Sequence, residues 1–281
     1  MNYPKVSIVT PSLNQGQFIE EAILSVLSQD YPNIEYIVID GGSTDSTLDI
    51  LKKYDNEVVW ISEPDRGQVD AINKGWRMAS GEILTWLNAD DLLYPGAIRT
   101  VVNRFLQRKE IEIVHGDVVF VDRQGNALLE KREIEFDYKI ILYGINYICP
   151  TVFLRRCVLQ KIGYLDQNLQ YVFDHEFYLR AAKNGVQFTH IPEFLFKFRL
   201  QQESKGVAKE SKVRKEGKRV INSYREDPFK DILGFNFIYA GLVNKIYRIK
   251  RQWVKLRTRK TIDNPFIGNF IKLYCKIKGR L

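Results

Sequence analysis

Cysteine is scarce in this chain of 281 residues. Its three members, Cys149, Cys157 and Cys275, have neither the even count of a disulfide framework nor the paired spacing of a zinc site, and they fit a reducing compartment. Histidine is equally rare, and no second histidine stands at metal-binding spacing from His175. No apolar run reaches the roughly 18 residues a membrane-spanning helix needs. The opening MNYPKVSIVTPS enters a strand pattern without a basic segment and an apolar core, so no signal peptide is expected and a cytoplasmic location is. Two phosphate-binding signatures are absent as well. The first strand-to-helix turn, TPSLNQGQ, lacks G-x-G-x-x-G and with it the bare backbone a dinucleotide pyrophosphate requires, which excludes NAD; no G-x-x-x-x-G-K-[ST] appears, which removes ordinary P-loop ATPases.

What is present is an ordinary soluble composition, 45% hydrophobic and 27% charged, long enough for one large domain and an appendage. The formal charge of +8 is unevenly spread. Residues 228–281 hold 13 Lys+Arg and 2 Asp+Glu, a net of +11; subtraction from 42 and 34 leaves 29 and 32, a net of −3, for the rest. An acidic partner for the tail follows, a membrane surface or nucleic acid.

Hydrophobic patterning divides the first ninety residues into strands and helices in alternation. Val6 to Thr10 reads as a strand, and apolar residues from Phe18 to Leu27 recur at helical spacing. Tyr36 to Ile39 is the next strand, running into DGGSTD, where Ser43 or Thr44 is expected to cap a helix through Leu51. A strand at Val58 to Ile61 leads through EPDRG to a helix carrying Ala71, Ile72, Gly75, Trp76 and Met78, and a fourth strand ends at Asn88. This β-α-β-α-β-α-β order specifies an α/β fold with a parallel sheet flanked by helices. Thereafter the pattern changes to a hairpin turning at RQGN, a strand within CPTVFL, a helix ending at Gly163 and another opening near Asp174 and closing near Gly185.

Each of the first four strands stops at a polar cluster: Thr10 and Ser12, then Asp40, then Asp65 and Arg66, then Asn88, Asp90 and Asp91. Right-handed connections bring those ends to one edge of a parallel sheet, where open α/β sheets take ligands. Taken singly, Asp40 serves equally as a turn residue, Arg66 as a solvated loop charge, and Asp90 or Asp91 as a cap for the next helix. Capping accounts for one acid of the pair but not for both together with Asn88. Adjacent like charges repel, and a divalent cation with phosphate oxygens relieves them. Asp174 suits either a helix cap or a general base among aromatic neighbours, and His175 suits packing.

These segments, VSIVTPSLNQGQFIEEAILSVLSQDYPNIEYIVIDGGSTDST, SEPDRGQVDAINKGWRMASGEILTWLNADDLLYPGAI, FDHEFYLR and FKFRL, resemble family 2 inverting glycosyltransferases of GT-A fold over about residues 5 to 205. The resemblance implies a Rossmann-like, mostly parallel central sheet, with a donor half over 1–95, an acceptor half over 96–205, and a basic, mostly helical extension over 206–281. It implies a nucleotide-diphosphate sugar donor and a glycan or lipid-linked glycan acceptor. Thr10, Pro11, Ser12 and Asp40 match positions holding nucleobase and ribose, Asp65 and Arg66 the loop near base and diphosphate, and Arg199 a basic position near the diphosphate. Asn88-Ala89-Asp90 matches the D-x-D motif, with Asp90, helped by Asp91, at a Mn²⁺ or Mg²⁺ ion; Asp174 matches the general base. Two departures stand out, an uncharged Asn88 at the first acid of the motif and Gln201 where many relatives carry histidine. They favour an alternative, a nucleotide-sugar-binding module without turnover, which Asp90 and Asp174 oppose. Residues 232–243, ILGFNFIYAGLV, followed by Lys245, Arg248, Lys250 and Arg251, read as an interfacial anchor to an anionic membrane. Packing of that run on the domain or on a second subunit of a homo-oligomer stays open. A nucleic-acid partner is not expected, because the tail lacks aromatic stacking motifs.

Overall fold

The computed structural model describes residues 3–142, 152–200 and 210–225, with isolated positions at 241, 242, 245 and 249. The apolar run 232–243 and the basic stretch after it otherwise lie outside the described residues, as do Cys149, Cys275 and Gln201.

The chain builds a nine-stranded sheet in the order β3-β2-β1-β4-β8-β6-β9-β5, with β7 paired to β6. Its first half is β1 (Val6–Ser12), α1 (Ile19–Leu27), β2 (Ile34–Asp40), α2 (Thr47–Lys52), β3 (Val59–Ser62), α3 (Gln68–Met78) and β4 (Ile83–Trp86). All four strands here are parallel, as the alternating pattern requires. The parallel character does not extend across the sheet. After β5 (Leu92–Leu93) and α4 (Ala97–Gln107) come β6 (Ile113–Val121), β7 (Ala127–Lys131), α5 (Tyr138–Leu142), β8 (Phe153–Arg155), α6 (Arg156–Ile162), α7 (Phe173–Lys183) and β9 (Phe188–Arg199). Strand β8 runs antiparallel to both β4 and β6, and β5 antiparallel to β9, while β6 and β9 are parallel. The sheet is therefore mixed, with a parallel donor half.

Period-two alternation splits each strand between two cores. Val9, Ile37 and Ile39 face one core with Trp76, Trp86 and Phe177; Ile8, Tyr36 and Val38 face the other with Ile19, Val101 and Phe105. Gly75 lets α3 lie directly on β1, since a Cβ there would stand 2.3 Å from Val9 Cγ1. The expected hairpin forms because the Asp122 carboxylate accepts the amides of Gln124 and Asn126 at 2.9 and 2.8 Å, and Gly125 takes φ 85°.

Two local expectations change. Helix α2 begins at Thr47 and not at Ser43 or Thr44, because Ser43 is drawn onto Asp40. Neither Asp90 nor Asp91 caps α4, whose N-cap is Gly96 at φ 76°. Within the extension expected from residue 206, helix α8 (Glu210–Tyr224) is described. It packs on α7, and Val213 and Val220 join the core of Trp76, Trp86 and Phe177.

Candidate functional site

Register fixes the first part of the site. Ser12, Asp40 and Ser62 are neighbours across β1, β2 and β3, at the carboxyl ends of three parallel strands. Thr10 is fully buried, its Oγ1 3.0 Å from the Tyr36 hydroxyl. Ser12 is 4% exposed, and its Oγ is a buried polar atom without a partner, a group a ligand hydroxyl or base edge would satisfy. Pro11 stands between them, also buried. Asp40 is fully buried and occupied by its own turn: it accepts the amides of Gly42 and Ser43 at 3.1 and 2.8 Å and the hydroxyls of Ser43 and Ser62 at 2.5 and 2.7 Å. That set makes Asp40 the organiser of the DGGS loop.

The loop after β3 is built similarly. Asp65 accepts the Gly67 amide at 2.7 Å and lies against Gly41, where a Cβ would meet its Oδ2 at 2.9 Å. The β2 and β3 loops thus close on each other. Arg66 points outward, its side chain 76% exposed, in an ion pair with Asp70 at 3.3 Å and a bond to Gln167 at 2.9 Å.

At the end of β4 the side chains form a chain of bonds. Gln68 Nε2 donates to Asn88 Oδ1 at 2.7 Å, and Asn88 Nδ2 donates to Asp91 Oδ2 at 2.9 Å. Asp91 Oδ1 accepts the Arg199 amide at 3.0 Å. The two acids therefore differ in kind. Asp91 is 3% exposed and turned into the protein, where burial, and after it the charge of Asp90, holds its carboxyl well above the usual carboxylate range against the opposing pull of Arg199 and Asn88. Asp90 is half-buried, and Ala89 packs in the core between Asn88 and Asp90.

Arg199, expected near a diphosphate, is engaged by protein acceptors here. Its guanidinium is wholly buried under Phe18, 5.0 Å from the ring centroid. Nε donates to the Asp90 carbonyl at 3.0 Å, Nη1 to the carbonyls of Asp122 and Arg123 at 3.3 and 2.5 Å, and Nη2 to Glu21 Oε2 at 2.7 Å. Such a guanidinium is a clamp joining α1, the β6–β7 turn and the Asp90 loop. Glu21, Gln68 and Tyr36 escaped sequence reading, because their roles depend on partners 178, 20 and 26 positions away.

Asp174 lies in the first turn of α7, 2% exposed. Phe173 beside it packs its ring 6.4 Å from that of Trp86, the last residue of β4, so α7 docks its N-terminus at the carboxyl end of the strand that leads to Asn88. His175 is buried with Nε2 3.0 Å from the Ile141 carbonyl oxygen, a packing role. Among the described residues no group of three or more His, Cys, Asp or Glu is arranged to hold a metal unaided. A Mg²⁺- or Mn²⁺-type site that takes one carboxylate and completes its sphere with substrate phosphates and water fits this donor set, and Asp90 is the less buried acid of the adjacent pair.

The family model described as glycosyl transferase family 2 matches residues 7–163. An uncharacterised glycosyltransferase of Rickettsia typhi is 30% identical over 208 residues, 70% of this chain and 64% of the relative, so the match falls just short of two thirds of that protein's length. A PGL/p-HBAD biosynthesis glycosyltransferase of Mycobacterium bovis is 30% identical over 67% of this chain and 74% of its own. Among solved structures, Staphylococcus aureus TarS 1–349 in complex with UDP-GlcNAc superposes with a TM-score of 0.62 at 21% identity, over 78% of this chain and 66% of that one. The mannosyltransferase PcManGT of Pyrobaculum calidifontis, in complex with GDP-Man and Mn²⁺, does so with a TM-score of 0.63 at 17% identity, over 100% and 84%. The family match over residues 7–163 and the mixed sheet with its parallel first half agree on one assignment: the chain belongs to glycosyl transferase family 2 and has the GT-A fold.

Proposed function

We propose that this chain moves a sugar from a nucleoside-diphosphate sugar to an acceptor hydroxyl with inversion at the anomeric carbon, in the synthesis of a cell-surface or capsular polysaccharide. The observation that carries the reading is the meeting of four strand ends, Ser12, Asp40, the Asp65 loop and the Asn88–Asp91 loop, with the first turn of α7 at one edge of the sheet. Thr10, Pro11, Ser12, Asp40 and Asp65 would line the nucleoside, with Ser12 Oγ as the donor or acceptor still to be satisfied. Arg66, on an exposed loop, is free to swing to the diphosphate once its pair with Asp70 opens.

Asp90, with the diphosphate oxygens, would hold Mn²⁺ or Mg²⁺, and the ion supplies positive charge for the departing diphosphate. Asp91 and Arg199 support that loop from behind in this reading. Asp174 accepts the proton of the acceptor hydroxyl as its oxygen bonds to the anomeric carbon; the bond from that carbon to the diphosphate oxygen breaks, and the diphosphate leaves with the electron pair. Direct displacement by one attack gives inversion.

The donors of the structural neighbours name the first substrates to try, UDP-GlcNAc and GDP-Man. An acceptor on a lipid at the cytoplasmic face would explain the +11 tail as a membrane contact. The test of mechanism is Asp174→Asn. Transfer falls by at least about 100-fold, within the range typical of general-base loss, while donor binding stays within about twofold. A variant that keeps most of its turnover removes Asp174 from the mechanism. Comparing the anomeric configuration of donor and product by NMR checks inversion, and retention would overturn it.

A further inference from the structure

Helix α7 has no side-chain cap of its own; its N-cap is Val172. The three amides leading into it nevertheless converge on one carboxylate from outside residues 5–205. Gln170 donates to both oxygens of Glu216 at 3.1 Å, Tyr171 to Oε1 at 2.7 Å and Val172 to Oε1 at 3.0 Å. Consecutive amides aimed at one point form an anion-binding nest, and a helix N-terminus adds positive potential to it. Here a side chain of α8 fills the nest.

A second contact holds the same two helices farther along. The Tyr224 hydroxyl donates to Glu176 Oε1 at 2.6 Å, and Arg180 Nε binds the same oxygen at 2.9 Å. Val213, Val220 and Ile221 bury the face between. Glu216 meets residues 170–172 and Tyr224 meets Glu176, so the helices run in the same sense and α8 is fixed along α7 at two points.

We propose that Glu216 is a positioning residue for Asp174, an inference that rests on the reading of Asp174 as the base. Bonds from three successive amides to one carboxylate fix the backbone of 170–172, and Asp174 follows two residues later on the first turn. The carboxylate of Asp174 is aimed by the direction in which α7 starts, and Glu216 sets that direction. The part of the chain beyond residue 205 thereby enters the active-site geometry without touching substrate.

The experiment uses the full chain, following release of UDP from UDP-GlcNAc or GDP from GDP-mannose with Mn²⁺ and water as the acceptor, so that no acceptor need be known. Glu216→Ala lowers kcat about 10- to 100-fold, as small misplacements of reacting groups do, while KM for the donor and calorimetric nucleoside-diphosphate affinity stay within about twofold. Glu216→Gln keeps an acceptor at the Oε1 position and recovers at least half of the logarithmic loss, because the bonds and not the charge alone do the aiming. Tyr224→Phe, which weakens the same helix contact away from 170–172, lowers the melting temperature and leaves kcat within about twofold. If Glu216→Ala fails to fold, the Gln and Tyr224→Phe variants carry the comparison.

A folded Glu216→Ala with unchanged kcat, a loss that appears equally in donor affinity, or a Tyr224→Phe as impaired in kcat as the Glu216 variants would each overturn the positioning role. Asp174→Asn in the same assay separates the two failures. If it keeps its turnover, the base reading falls; if it is inactive beside a fully active Glu216→Ala, only the role of Glu216 falls.

Discussion

The adjacent acids at 90 and 91 look alike in sequence and differ in the folded chain. Asp91 receives bonds from Asn88 and from the Arg199 amide, so both its oxygens are committed to protein donors. Asp90→Ala is expected to remove the metal dependence of nucleoside-diphosphate binding with little change in stability. Asp91→Ala should leave two buried donors unpaired, lowering stability by about 2 kcal/mol, while metal dependence persists. Calorimetric titration with and without Mn²⁺, beside thermal melts, distinguishes them; equal losses of metal dependence would make both acids ligands. Arg199 makes a similar point. Arg199→Leu removes the guanidinium bonds to the Asp90 and Arg123 carbonyls and to Glu21, and at about 1 kcal/mol per lost bond stability should fall by about 2–3 kcal/mol. A direct diphosphate contact predicts the opposite pattern, donor affinity lost at unchanged stability.

At the scale of elements, the first half of the sheet was legible because its strands are short buried runs and its helices keep helical spacing. Ile8 and Val38 against Val9 and Ile37 already announce a sheet covered on both faces. The mixed second half was less legible. Strand β8 is three residues long and β5 two, too short for periodicity to register, and their directions are set by partners distant in the chain. The clamp at Arg199 was hidden for the same reason, since it exists only once β9 lies on both β6 and β5. The packing of α3 on β1 gives a prediction of its own. Gly75→Ala forces a methyl into Val9 and should cost about 1–3 kcal/mol of overpacking, read as a lower midpoint of denaturant unfolding with an unchanged slope; an unchanged midpoint would mean the two elements can separate at no cost.

For the whole molecule, α8 shares the core of the domain through Val213 and Val220. A chain ending at residue 227 is expected to melt near the full-length protein, whereas one ending at 205 loses Val213, Val220 and Glu216 and should melt well below both. Equal melting of all three would make α8 dispensable. The tail after it carries the excess charge, and liposome co-sedimentation of the full chain and of the chain ending at 227 tests its attachment. The full chain alone should pellet, with anionic lipid at low salt. If neither does, the apolar run at 232–243 belongs in a protein interface. Asp174 and the strand ends were visible from sequence as separate polar clusters; that α7 docks at β4 through Phe173 and Trp86 was not, because aromatic contact across 87 positions leaves no local trace.

We propose a nucleotide-sugar site at the carboxyl edge of the parallel strands with Asp90 as its metal acid. It is tested most directly by thermal melting of the full chain and of Asp90→Ala with UDP-, GDP- and dTDP-sugars, each with and without Mn²⁺. A ligand that binds only the folded state at 100 times its dissociation constant stabilises it by about 2.7 kcal/mol. At least one of these donors is expected to raise the melting temperature of the natural chain in the presence of Mn²⁺, and the Mn²⁺-dependent part of the rise to be lost in Asp90→Ala. No shift with any donor, or a shift indifferent to both the ion and Asp90, would contradict it.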